Sequence, residues 1–221
     1  MRFEAHKPIV YLITNGRTTE QTTSTSKEFS SLLELVAAAA RAEVPLVQIR
    51  EKQLRTRVLL ELAAEAAGLV RGSTTRLLIN DRADVALASG ASGVHLTTGS
   101  LDAALVRRTF GEDFLIGVST HSITEARNAR DAGADFAVFG PVFETTSKQI
   151  YGEPVGLEKL DQAARELAPF PLLALGGVAL DKLRGCASSG AAGIAAIGLL
   201  ENPEILVEVV ATIRQSFQTM R

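Results

Sequence analysis

The string "VQIREK", residues 47–52, closes a short apolar run with an arginine, a glutamate and a lysine. In a strand, alternate side chains point to opposite faces. Val47, Ile49 and Glu51 then share one side, and Gln48, Arg50 and Lys52 the other. An amide and two cations in register make a pocket for an anion, or else the solvated end of an ordinary strand. Further along, "LIND" supplies Asn80 and Asp81, "GVSTH" supplies Ser119 and His121, and "FETTSK" supplies Thr145, Ser147 and Lys148. Amide, hydroxyl and ammonium groups of this kind suit phosphate oxygens, which accept charge-assisted hydrogen bonds. Gly176, Gly177 and Gly198 end two late apolar runs. Glycine lets backbone N–H groups approach an oxyanion closely, though a tight turn alone also asks for it.

These groups need a scaffold that brings them together. Short β-branched runs fall at 8–15, 45–51, 76–81, 93–98, 114–120, 136–142, 171–178 and 193–200. Between them lie alanine-rich stretches such as 30–43 and 58–71, with apolar residues at i, i+3 and i+4 spacing, the mark of amphipathic helices. Strand and helix alternating in this way predict a (β/α)8 TIM barrel, one domain over residues 1–221. A doubly wound open sheet is the rival, but "YLITNGRTTE" offers no G-x-G-x-x-G loop after the first strand. In the barrel the active site lies at the C-terminal ends of the strands, where the polar groups gather. The segments entering the strands, such as "RAEVP" and "LAPFP", offer little chemistry. Arg50 and Lys52 therefore read as mouth residues. The glycines of the last two strands lie far from them in sequence, so two separate phosphate subsites are expected. The Thr/Ser-rich segment 16–28 reads as a mobile first βα loop, either a disordered connector or a substrate lid.

Composition narrows the partners. Lys plus Arg is 23 and Asp plus Glu is 25, a net charge of -2, which gives no support to a nucleic-acid or membrane-surface partner. One cysteine, Cys186, excludes an internal disulfide and fits a reducing compartment; its helical setting reads as packing. No apolar run reaches the roughly 18 residues of a membrane span, and "MRFEAHKPIVYLITNG" lacks a signal peptide's core. A cytoplasmic location is the expectation. His6 reads as a surface residue, and His95 as a hydrogen-bonded core residue or a catalyst.

The strings "QIREK", "LIND", "GVHL", "GVSTH", "FGPVFETTSK" and "LALGGV" occur in order, and from about residue 9 to 213 the chain resembles the family of thiamine phosphate synthase and its relative, the thiazole tautomerase. The resemblance implies that barrel and a place in thiamine biosynthesis. The synthase couples hydroxymethylpyrimidine diphosphate to thiazole phosphate and releases pyrophosphate. By motif match Gln48, Arg50, Lys52, Asn80 and Lys148 hold the pyrimidine diphosphate, and Asp81 binds Mg²⁺. Ser119, Thr145 and Ser147 contact phosphate groups, and Gly177 and the Gly198 region take the thiazole phosphate. Family members often form homodimers.

One departure bears on the metal. The synthase pattern places an aspartate five positions after the histidine of "GVHL" as a second Mg²⁺ ligand, and this chain has Ser100 there. Weaker metal binding is the expectation, with Asp102, two residues on, the alternative carboxylate. The stretch "HLTTGSLD" is similar to the tautomerase branch, in which His121 would shuttle a proton to aromatise the thiazole precursor. Retention of Lys52 and Asp81 favours the synthase. A third reading is a non-catalytic binder of phosphorylated ligands on the same scaffold.

Overall fold

A computed structural model describes residue 3 and residues 7–97, 99–145 and 153–218. Eight parallel strands close into a barrel in sequence order. They are β1 (Ile9–Ile13), β2 (Leu46–Ile49), β3 (Arg76–Asn80), β4 (Gly93–Leu96), β5 (Leu115–Thr120), β6 (Phe136–Phe139), β7 (Leu172–Leu175) and β8 (Gly193–Ala196). Each falls inside an expected run. Most stop two or three residues early, because the last polar residues leave the ladder and turn into the mouth.

The helices among the described residues are α1 (Lys27–Arg41), α2 (Thr56–Val70), α3 (Ala83–Ser89), α4 (Ala103–Phe110), α5 (Ile123–Asp131), α6 (Gly156–Leu167), α7 (Leu183–Ser188) and α8 (Leu206–Gln218). In α1, Phe29, Leu32, Leu35, Val36 and Ala39 are buried, one apolar stripe laid on the sheet. It starts earlier than apolar spacing suggests, because its first turn, from Lys27, is polar. It stops at Arg41 because Glu43 adopts φ +53°, and Val44 N–H then bonds back to the Ala39 carbonyl at 2.9 Å. Asp102 caps α4, its Oδ1 accepting from Ala104 N at 2.8 Å and Leu105 N at 3.1 Å. One oxygen of that carboxylate is therefore taken up by the start of the helix.

The strands alternate faces as the pleat requires. Val10, Val47, Ile79, Val94 and Ile116 pack outward under the helices. Ile9, Tyr11, Leu46, Leu78, Leu115, Phe136 and Leu173 fill the interior. Above this apolar floor the inward positions turn polar: Gln48, Asn80 and His95 are all buried. The register Asn80↔His95 and His95↔Gly117 carries that polar level from β3 to β5.

The first βα loop is shorter and better anchored than expected. It ends at Ser26, and Thr18 and Thr22 within it are buried. Thr18 bonds through both its N–H and its hydroxyl to the carboxylate of Glu51. No helix among the described residues is long and apolar enough to cross a membrane.

Candidate active site at the barrel mouth

Where β3 ends, Asp81 takes φ +59°. This left-handed conformation costs a residue other than glycine about 1 kcal/mol or more, and Asp and Asn accept it more readily than most. The turn is fixed by Asp81 N–H, which donates to the His95 carbonyl at 2.9 Å. The Asp81 carboxylate then meets three donors. Asn80 Nδ2 reaches Oδ2 at 2.8 Å, Thr97 Oγ1 reaches Oδ1 at 3.3 Å, and the Ser100 hydroxyl also donates to Oδ1. Asn80 in turn accepts from Gln48 Nε2 at 2.9 Å. A directed chain of amides thus runs from β2 across β3 to one carboxylate.

His95 lies one strand over. Its Nε2 is 2.9 Å from Ser119 Oγ, and its ring packs between Tyr11 and Phe136. Burial pushes its pKa down to about 3; the Asp81 charge opposes that shift and the Arg50 charge adds to it. His95 is therefore a neutral imidazole near pH 7. Arg50 directly follows β2 and Asp81 directly follows β3, and the two strands pair in parallel, so both residues stand at the same end of the barrel.

Arg50 is half-buried, and Lys52 is exposed. Among the described residues neither cation takes a side-chain hydrogen bond or ion pair. An arginine held at a barrel mouth without a carboxylate partner is prepared for an anionic ligand. Ser147 and Lys148 lie outside the described residues, as do Thr98 and His6, while Thr145 is half-buried at the start of that segment.

His121 sits at the entry to α5. Its backbone N–H donates to Glu125 Oε2 at 2.7 Å, and its Nδ1 is 3.3 Å from the same oxygen. Ser122 Oγ accepts from Glu125 N at 3.2 Å, so the pair caps the helix and holds the histidine at its first turn.

The glycines of β7 have a packing reason that sequence does not show. Gly176 and Gly177 have φ of +94° and +62°. A Cβ on Gly176 would lie 2.5 Å from Pro141 Cβ, and one on Gly177 would lie 2.3 Å from the Glu144 carbonyl oxygen. The loop after β6 lies directly on them. Beside Gly198 a Cβ would meet nothing within 4 Å, so this turn is open. Lys182, which sequence reasoning passes over, reaches back to the Gly177 carbonyl at 3.0 Å with its ammonium 4.7 Å above the Phe143 ring. It ends a 3₁₀ turn, Leu180–Lys182, too short to leave a periodic signal.

Among the described residues no three His, Cys, Asp or Glu side chains form a metal cluster. Asp81 still offers a hard carboxylate, with the Thr97 and Ser100 hydroxyl oxygens beside it and the Asn80 amide nitrogen donating to it. Mg²⁺ is commonly held by one or two carboxylates with substrate phosphates and water. The donor set fits an ion shared between Asp81 and a phosphorylated ligand.

Fold and mouth together define the class: a (β/α)8 barrel with polar and charged side chains gathered at the C-terminal ends of its strands. The family described as thiamine monophosphate synthase matches residues 10–200, and the chain belongs to it. It is 37% identical over 216 residues to a thiamine-phosphate synthase of Chlorobium luteolum, covering 98% of this chain and 96% of that one. A thiamine-phosphate synthase of a Roseiflexus species is 36% identical over 189 residues, covering 86% of this chain and 76% of the other. Among solved structures, a thiamine phosphate pyrophosphorylase from Pyrococcus furiosus superposes with TM-score 0.78 at 27% identity, covering 98% of both chains.

Proposed function

We propose that the mouth couples hydroxymethylpyrimidine diphosphate to thiazole phosphate with release of pyrophosphate, so that the chain is a transferase of thiamine biosynthesis. The observation that carries this reading is the placement at one rim of a guanidinium, Arg50, that has no side-chain partner among the described residues, with a hydrogen-bonded carboxylate, Asp81. The relatives named above are synthases, and none favours the tautomerase alternative.

In the reaction the bond between the pyrimidine methylene and the diphosphate oxygen breaks, and its electron pair leaves with pyrophosphate. The thiazole nitrogen lone pair then forms the new C–N bond. Arg50 and Lys52, with Lys148 as the motif match adds it, stabilise charge as it develops on the leaving diphosphate. Asp81 would hold Mg²⁺, which when bound would supply further neutralisation of the diphosphate charge. Gln48 and Asn80, tied to each other, orient the pyrimidine end. Ser119 is held by His95, and with Thr145 and Ser147 it offers hydroxyls to the phosphates. Gly176, Gly177 and Gly198 border the thiazole phosphate, whose nitrogen must sit beside the methylene for capture to outpace water. A single barrel domain, a cytoplasmic location and a homodimer complete the proposal.

The test is pyrophosphate release by purified protein. Release should require both substrates and Mg²⁺, and Arg50→Ala should lower kcat/KM by about 10²–10³-fold, the usual loss for one charge-stabilising donor. No release at saturating Mg²⁺ overturns the assignment.

A further inference from the structure

Glu51 is the one acidic residue of the "QIREK" run, and the mechanism above does not use it. It points away from the face that carries Arg50, yet it is only 3% exposed. Among the described residues it makes four hydrogen bonds, all from donors. Oε1 accepts from Thr14 Oγ1 at 2.6 Å and from Gly16 N at 3.1 Å. Oε2 accepts from Thr18 N at 3.2 Å and from Thr18 Oγ1 at 2.6 Å. Among the described residues no cation shares these contacts, and backbone and hydroxyl dipoles from the first βα loop satisfy the buried carboxylate.

The loop held in this way bonds to Arg50 at Thr14 and runs close beside it at Gly16. Thr14 Oγ1, which gives its proton to Glu51, accepts from Arg50 N at 2.9 Å. Gly16 has φ +72°, and a Cβ there would lie 3.3 Å from the Arg50 carbonyl oxygen and 3.5 Å from a guanidinium nitrogen. Glu51 and Arg50 are neighbours on opposite faces of one strand end. The carboxylate on one face therefore sets the loop that shapes the arginine on the other.

We infer that Glu51 is a positioning residue: it latches residues 14–18 against Arg50 and so fixes how the guanidinium presents to the diphosphate. This rests on the synthase reading for its kinetic consequence, but not for the latch itself. A carboxamide at this position turns an N–H₂ against the backbone N–H of Gly16 or Thr18, so that donor loses its acceptor and the hydroxyl beside it must reverse to accept.

Two measurements on Glu51→Gln test it. In the purified protein without substrate, hydrogen exchange at the Gly16, Thr18 and Arg50 amides should accelerate by at least about tenfold. Unchanged exchange at all three overturns the latch, whatever the enzyme's activity. In the pyrophosphate assay, KM for the pyrimidine diphosphate should rise about tenfold while KM for thiazole phosphate stays within about twofold. In an Arg50→Ala background the same change should cost little more, because Glu51 acts through Arg50. An equal loss in both backgrounds, or a uniform drop in kcat with both KM values kept, refutes the positioning role. Should Glu51→Gln fail to fold, Thr18→Val removes one donor from Oε2 and should move the same observables in the same direction by about half; no movement there overturns the inference as well. Failure of the wild-type chain to release pyrophosphate would bear on the synthase reading alone, since the exchange measurement needs no substrate.

Discussion

At the scale of single residues, the carboxylate of Asp81 is the most constrained group in the mouth. Three donors converge on it, and Ser100 supplies one of them where the family pattern has a second carboxylate. A metal held by Asp81 would gain no second anionic ligand from position 100, whose hydroxyl donates to the same carboxylate. Ser100→Asp replaces the hydroxyl donor with an acceptor beside Asp81. Without metal the two carboxylates repel and the variant loses stability; with metal they form a two-carboxylate site. The Mg²⁺ concentration for half-maximal pyrophosphate release should fall by about tenfold, roughly 1.4 kcal/mol. Calorimetric titration of Mg²⁺ with inorganic pyrophosphate present should show the same gain. An unchanged metal requirement would mean that Ser100 does not border the ion. The serine was legible as a departure from a pattern, but its hydrogen bond to Asp81 was not, since the partners are nineteen residues apart and meet only after β3 and β4 pair.

At the scale of elements, the eight strands were legible because each is a short apolar run bounded by turn residues, and the barrel because helices alternate with them. What the sequence hid is why particular strand positions carry their residues. β5 shows this well. Its inward residues are Leu115 in the floor, Gly117 in the middle and Ser119 at the mouth. In "FLIGVST" the glycine reads as an ordinary weak point in a strand. In the barrel, a Cβ there would lie 2.4 Å from Phe136 Cζ and 2.7 Å from His95 Nδ1. Phe136 is fully buried and packs edge-on to Tyr11, with ring centroids 5.4 Å apart, so it has little room to yield. Gly117 is thus the gap that admits two rings from β4 and β6. Gly117→Ala should destabilise the fold by about 1–3 kcal/mol, an overpacking cost. Urea unfolding should show a lower midpoint with an unchanged m-value. Because the displaced ring is the one bonded to Ser119, activity should fall further than stability alone explains. The same limit applied to the first loop. Thr and Ser composition suggested a loose connector, yet one glutamate on the next strand holds it.

At the scale of the whole molecule, the barrel closes over a titratable ring that only unfolding releases. The interior around His95 is apolar on the floor side, with Tyr11 and Phe136 against the ring and its Nδ1 buried without a partner among the described residues. Burial is the first cause of its pKa falling from 6.5 to about 3. The sign of the consequence follows from which state binds the proton. Below about pH 6.5 the unfolded chain protonates this histidine, while the folded chain does not until about pH 3. The unfolded state therefore gains a proton across that window, and stability drains away as pH falls through it, at up to about 1.4 kcal/mol per pH unit. Carboxylates add their own titration below about pH 5, so the clean interval is pH 5 to 6.5. In metal-free protein, urea unfolding across this interval should give a stability slope for the wild type that is steeper than that of His95→Gln by close to one proton. Gln offers an amide where Nε2 stood, so it can keep the Ser119 contact while removing the titration. Equal slopes in the two proteins would mean that water reaches the ring in the folded barrel, and that the neutral imidazole behind Ser119 is not enforced by the closed interior.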